Sequence, residues 1–322
     1  MKKLVLAIIL LLPLVLANAA EARLRAPSPY RSLTREFTRF YESTRDVPEA
    51  RRVALFRKRF DVLFPGFYEP ADGQSEAAFD ASIAKAFVKF PTIRARYEQA
   101  ERDFPKAYAA GIRHFRAQFP GFRPTLPVWF VHSLGRMDGG TRTLRGKNVM
   151  IFGADVIADI HDSRDIGPFL DHEMFHVENA QWFKDCDPIW CSLWQEGMAT
   201  YAASVMNPAA DDHLLMLDRP APIRAKVDAD WRGALCRTQR DLLSTDQKIY
   251  GRYFFGRDDP ERVYPARWGY YVGFRLLQRL GKTRSLRALD HLTNAEAGPL
   301  LKRELQAMIG EAGGCPAQPV GS

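Results

Sequence analysis

The 322-residue chain reads as an α+β protein, mostly helical with a small antiparallel sheet. Three observations predict this class. Apolar residues recur at three- and four-residue steps from about Ser28 to Phe119 and again beyond residue 210, the period of helices that bury one face. Two short runs rich in β-branched and aromatic residues, Pro127 to His132 and Asn148 to Phe152, stand between those helical stretches. After them, a polar motif, His172 to His176, interrupts an apolar helical segment.

The chain opens with the pattern of an export leader. Lys2 and Lys3 precede an aliphatic run from Leu4 to Leu16, and Ala17-Asn18-Ala19 supplies the small residues that signal peptidases cut behind. A membrane anchor would need about 20 apolar residues, and this run is shorter and broken by Pro13. No cysteine stands at the cut to carry a lipid, and no later stretch is apolar and long enough to span a bilayer. The expectation is an exported protein, periplasmic or extracellular, without stable membrane insertion of the mature chain.

The formal charge is +8, and losing Lys2 and Lys3 with the leader leaves +6. The arginines are scattered rather than clustered, which predicts a solvated basic surface and no nucleic-acid partner. Four cysteines remain: Cys186, Cys191, Cys236 and Cys315. In an oxidising compartment an even number suggests two disulfides, with three pairings open. Cys186 with Cys191 would close a short loop and leave Cys236 to tie down Cys315. A cysteine metal site fits these spacings poorly.

Leader 1–19 is followed by an N-terminal helical region, 20–122, and a domain from 123 to 322 with a helical C-terminal part. In the first region Leu33, Phe37, Phe40 and Tyr41, then Val53, Phe56, Phe60 and Leu63, form core-facing stripes. Pro65-Gly66, Asp72-Gly73 and Pro120-Gly121 punctuate it. Turns are predicted at Asp138-Gly139-Gly140 and Arg145-Gly146-Lys147, between the two strands. Pro168 opens a helix running to about Lys184, and Ser192 with Gln195 reads as a capping box for the next, ended by Asn207-Pro208. Further helices are predicted near Val227 to Asp246, Ala266 to Leu280, Ser285 to Leu292 and Pro299 to Ile309. An aromatic segment, Tyr250 to Tyr264, separates the first two.

The chemistry-bearing signal is His172-Glu173-Met174-Phe175-His176, an H-E-x-x-H pattern. Histidines four apart share a helix face, so both imidazoles can reach one metal ion. Glu173 adjoins the first of them and can reach water on the metal without binding the ion. A catalytic zinc ion takes three protein ligands and leaves one position open. Glu196, twenty residues after His176, is the candidate third ligand.

The pair of segments Leu170 to His176 and Leu193 to Tyr201 resembles the gluzincin peptidases. It is closest to a family of predicted bacterial zinc-dependent proteases with H-E-x-x-H and W-x-E-G-x-A segments. Gly153-Ala154-Asp155 and Arg267 to Gly273 also resemble that group, and the likeness spans roughly residues 125 to 280. It departs from thermolysin-like enzymes at Ala199 and Thr200, where those place an aspartate. The resemblance implies a zincin-like catalytic core around the H-E-x-x-H helix, Zn2+ on His172, His176 and Glu196, and Glu173 as general base. It also implies a peptide or protein substrate and a downstream tyrosine, Tyr270 or Tyr271, as oxyanion donor. Arg267 reads more simply as a surface arginine than as a carboxylate binder. The other histidines (His114, His132, His161, His213 and His291) have no ligand spacing and read as structural or solvated. The strand around Asn148 to Phe152 is expected to present an edge to extended peptide. Two other classes fit the same motif: an envelope zinc amidase, and a non-catalytic protein that keeps the metal for structure.

Overall fold

A computed structural model describes residues 30–71, 73–162, 164–255 and 261–316. The expected leader and Asp72 lie outside these residues. The expected class holds: a mostly helical α+β fold, in which a small sheet stands beside the helices that carry the motif.

The chain enters on a short strand, β1 (Tyr30–Ser32), that the helical periodicity of this region concealed. Three helices follow: α1 (Thr34–Ser43), α2 (Glu49–Leu63) and the long α3 (Glu76–Gln118). The predicted stripes face inward, with Phe37, Phe56 and Phe60 all fully buried. Ser75 caps α3 by accepting from the Ala78 N–H at 3.2 Å, satisfying one of its orphan donors.

The sheet corrects the expectation. It is mixed rather than antiparallel, in the order β1-β2-β4-β3. Strands β2 (Val128–Val131) and β4 (Lys147–Gly153) run parallel, and β1 is parallel to β2. The segment between the predicted turns is itself a strand, β3 (Gly139–Leu144), antiparallel to β4. Its Gly-Gly-Thr-Arg-Thr-Leu sequence has little apolar content, because its outer face is solvated and only pairing with β4 holds it. β4 is therefore an interior strand, and the edge beside the motif helix belongs to β3 rather than to Asn148 to Phe152.

After α4 (Ala154–Ile160) comes the motif helix, α5 (Ile166–Asn179), and then α6 (Ile189–Met206). Pro168 lies in the first turn of α5, where its missing N–H costs nothing. The helix stops five residues earlier than predicted. There the Asn179 amide donates to the Asp290 backbone carbonyl at 2.8 Å and to its carboxylate at 3.1 Å. The predicted capping box at Ser192 does not form, because α6 starts one turn earlier behind Pro188. The N–H groups of Ile189 and Trp190 donate instead to the carbonyls of Ser244 and Leu242.

The C-terminal part holds α7 (Ile223–Asp228), α8 (Trp231–Asp241), α9 (Gln247–Phe254), α10 (Trp268–Leu280), α11 (Leu286–Asp290) and α12 (Asn294–Glu311). Asp230 splits the predicted 227–246 helix by capping α8, and α9 runs from Gln247 into the aromatic segment. Disulfides join Cys186 to Cys191 and Cys236 to Cys315, and no cysteine is free. One continuous core runs from the N-terminal helices through the sheet to α12. Among the described residues, no helix is long and apolar enough to cross a membrane.

Candidate metal centre

Helix α5 carries His172 and His176 on one face, while Phe169, Leu170, Met174 and Phe175 fill the core on the others. Helix α6 packs against it and brings Glu196 to the same point. The Nε2 atoms of the two histidines are 3.2 Å apart, and Glu196 Oε2 lies 3.3 Å from His172 and 3.4 Å from His176. A tetrahedral ion with bonds of about 2.0–2.1 Å sets its ligand atoms roughly 3.3–3.4 Å apart. All three edges match, so the group could hold a metal ion. The three side chains are 17%, 26% and 20% exposed, so the cluster keeps one side open to solvent.

The placement of Glu196 depends on the residue after it. A Cβ built on Gly197 would stand 2.5 Å from the Gly273 carbonyl carbon, and one on Gly273 would stand 2.3 Å from the Leu193 carbonyl oxygen. Helices α6 and α10 thus touch backbone to backbone, which only glycine permits on both sides. That crossing brings the start of α10 to the cluster. The Tyr270 ring stacks on the His172 imidazole with centroids 6.1 Å apart. Tyr271, one residue on, does not join the site. Its hydroxyl donates to Asp228 at 2.8 Å and accepts from Arg275 at 2.6 Å, on another face of α10.

Glu173 sits beside the ligands without joining them. It is buried under β3, where a Cβ on Gly139 would come within 3.0 Å of its carboxyl carbon. Burial pushes its carboxyl up to about 7, reinforced by the negative charges of Asp138 and Glu196 and opposed by His176. Burial also opposes charge on His176, but Glu196 outweighs it and raises the imidazole to about 9. At His172 burial wins over the Glu196 contact and holds the imidazole below its usual value. Burial works against the Glu196 carboxylate too, yet the two histidines keep it well below the usual carboxylate range. Burial, with the Glu196 charge, drives the Tyr270 hydroxyl far up, so it stays a proton donor.

Each of the five remaining histidines has an aspartate oxygen within 4.0 Å of a ring nitrogen. His132 lies 3.4 Å from Asp155, which also accepts from the Ser133 and Gly135 N–H groups and so fixes the turn before β3. His114 holds Asp171, and His161 bridges Asp138 and Asp165. His213, with Asp162 and Asp165, makes a second group whose atoms could hold an ion. The Arg219 guanidinium already stands in that group, 3.4 Å from Asp165 and 3.2 Å from His213, and competes for it. His291 stacks on Trp182.

Sequence reasoning missed one residue at the centre and set a second aside. Tyr250, on α9, faces Glu196 and Ser192. Arg267, read as a surface arginine, is half-buried at the start of α10, with its guanidinium 4.5 Å from the Tyr270 ring centroid. The one local signal was the clustering of aromatics around both residues. No family model, curated protein or solved structure matches the chain.

Proposed function

We propose that the chain is an exported zinc-dependent peptidase, with the ion on His172, His176 and Glu196. The observation that carries this reading is the match of three convergent ligand atoms to one tetrahedral ion, with a buried, unligated carboxyl next to them. Two disulfides suit an oxidising compartment. Two imidazoles and one carboxylate form the donor set of hydrolytic zinc rather than of structural zinc, which favours more cysteine. Bound there, zinc would polarise a carbonyl and lower the pKa of water towards about 7.

Glu173 is the general base, because a carboxyl near 7 can both accept a proton from water and return it to the departing amine. Tyr270, still protonated, donates to the oxyanion that develops on the carbonyl. The outer edge of β3 offers main-chain groups to an extended peptide, and its first residue, Gly139, lies against Glu173. A structural metal protein has no use for a buried acid at residue 173, which sets the catalytic reading above the binding-protein one.

The test is metal analysis of the purified protein, followed by peptide-library cleavage with and without chelator. Glu173→Gln should keep its zinc and its fold while hydrolysis falls by several orders of magnitude. Loss of zinc in that variant would make Glu173 a ligand and refute the assignment. A zinc-loaded protein that cleaves a non-peptide amide and no peptide would establish the amidase reading instead.

A further inference from the structure

Arg267 is the residue of the site that nothing in the fold explains. Its backbone lies in the left-handed region, φ 67°, which a long side chain rarely adopts and which clusters at functional sites. Its guanidinium makes no hydrogen bond and no ion pair with any described residue, although it is half-buried. Neighbouring arginines are not left so: Arg275 contacts Asp228, Arg224 clamps Asp212, and Arg279 binds Glu304 and Glu311. Two ring contacts, 4.5 Å and 6.1 Å, connect it through Tyr270 to His172. That reach is within about three residues of extended chain, at ~3.3–3.6 Å each. Its positive charge is felt at His172, Tyr270 and Asp138. Asp138 does not neutralise it, being held by the His161 imidazole and the Gly139 N–H.

We propose that Arg267 recognises the substrate, binding a carboxylate of the peptide close to the scissile bond. An unpaired guanidinium presents a planar fork of donors that matches a carboxylate. The bound anion would complete the pairing that the fold omits. The proposal rests on the peptidase reading for its substrate. The carboxylate has two sources: the C-terminus of the chain being cut, which makes an exopeptidase, or an acidic side chain, which makes an acid-preferring endopeptidase.

The experiment uses zinc-loaded protein carrying Glu173→Gln, so that bound peptide is not consumed. Calorimetry measures binding of Ac-Ala-Phe-Ala as free acid and as amide, and of Ac-Ala-Glu-Ala amide against Ac-Ala-Gln-Ala amide. The charged member of one pair should bind about 10- to 100-fold more tightly, as expected for a charge-assisted pair. The pair that discriminates names the source. Adding Arg267→Gly, which suits the positive φ and so keeps the backbone, should bring that ratio to about one. A ratio that survives the glycine places the carboxylate on the metal and overturns the proposal. So does the absence of any charge preference, or of binding by all four peptides, when Arg267 is present. The peptidase reading fails separately, through metal content and chelator-sensitive hydrolysis of the unmodified protein.

Discussion

Shortening Glu196 by one methylene is the sharpest test of the metal centre. Glu196 Oε2 stands 3.3 and 3.4 Å from the two imidazole nitrogens, as a shared ion requires. Glu196→Asp withdraws that oxygen by about 1.5 Å, against a tolerance of about 0.2 Å in a metal–ligand bond. The backbone cannot follow, because the next residue, Gly197, already lies against Gly273 of α10. Losing a partner behind a ligand costs metal affinity 10- to 100-fold, so losing a ligand should cost more than about 100-fold, or ~2.7 kcal/mol. Competition with a chromophoric chelator measures this directly, with thermal melts to confirm folding. Glu196 lies in the interior of α6, where aspartate is less favourable than glutamate by less than about 0.7 kcal/mol, so a purely structural Glu196 would tolerate the change. Zinc affinity within threefold of the parent would remove Glu196 from the site.

Three further outcomes follow from the same structure. Because Glu196 holds the His176 proton up to about 9, zinc must displace it; binding at pH 7.5 should release close to one proton. Calorimetry in buffers of different ionisation enthalpy would show this, and affinity should rise about tenfold per pH unit between pH 6 and 8. Asp290 is fully buried, and burial, aided by the Glu178 charge against the Asn179 contact, pushes it up to about 7 from 3.8. Its folded value lies above its unfolded one, so its contribution is full below about pH 4 and lost as pH rises through 7. At 1.36 kcal/mol per tenfold this amounts to about 4 kcal/mol at most. Asp290→Asn should flatten that slope in denaturant melts across pH 4 to 8; an unchanged slope would place the titration elsewhere. Gly197→Ala puts a methyl 2.5 Å from the Gly273 backbone and should cost at least ~1–3 kcal/mol. It should also weaken zinc binding, and an unaltered melt would mean that α6 and α10 are free to separate.

The convergence of His172, His176 and Glu196 was legible because its first half is local. Two histidines at four-residue spacing on one helix need only the helix to converge, and one loop and about two helical turns bring Glu196 to them. The choice between Tyr270 and Tyr271 was not legible, since adjacent residues point about 100° apart and the Gly197–Gly273 crossing decides which one stacks on His172. Strand β3 was hidden because its hydrogen bonds come from β4 and not from its own side chains. Its antiparallel return also leaves β2 and β4 parallel, which two short apolar runs alone do not reveal. The part proposed for Arg267 could not be read from spacing, because the argument for it starts from a left-handed backbone and a guanidinium without an ion pair among the described residues.

The exposed rim of β3 has a consequence for the protein's behaviour at high concentration. An edge that can receive an extended peptide can equally receive a strand from another molecule, and such edges seed aggregation. Here the hazard is limited by composition. The edge is six residues long, opens with two glycines, and carries Arg142 between two threonines on its exposed stretch. Gly140 holds φ 142°, a conformation that glycine adopts and few other residues do. A charged, short edge that opens with two glycines pairs poorly with copies of itself while leaving its backbone groups accessible to a single flexible chain. Replacing Arg142 with an apolar β-former would therefore be expected to turn this edge into a self-association surface, visible as turbidity long before any loss of fold.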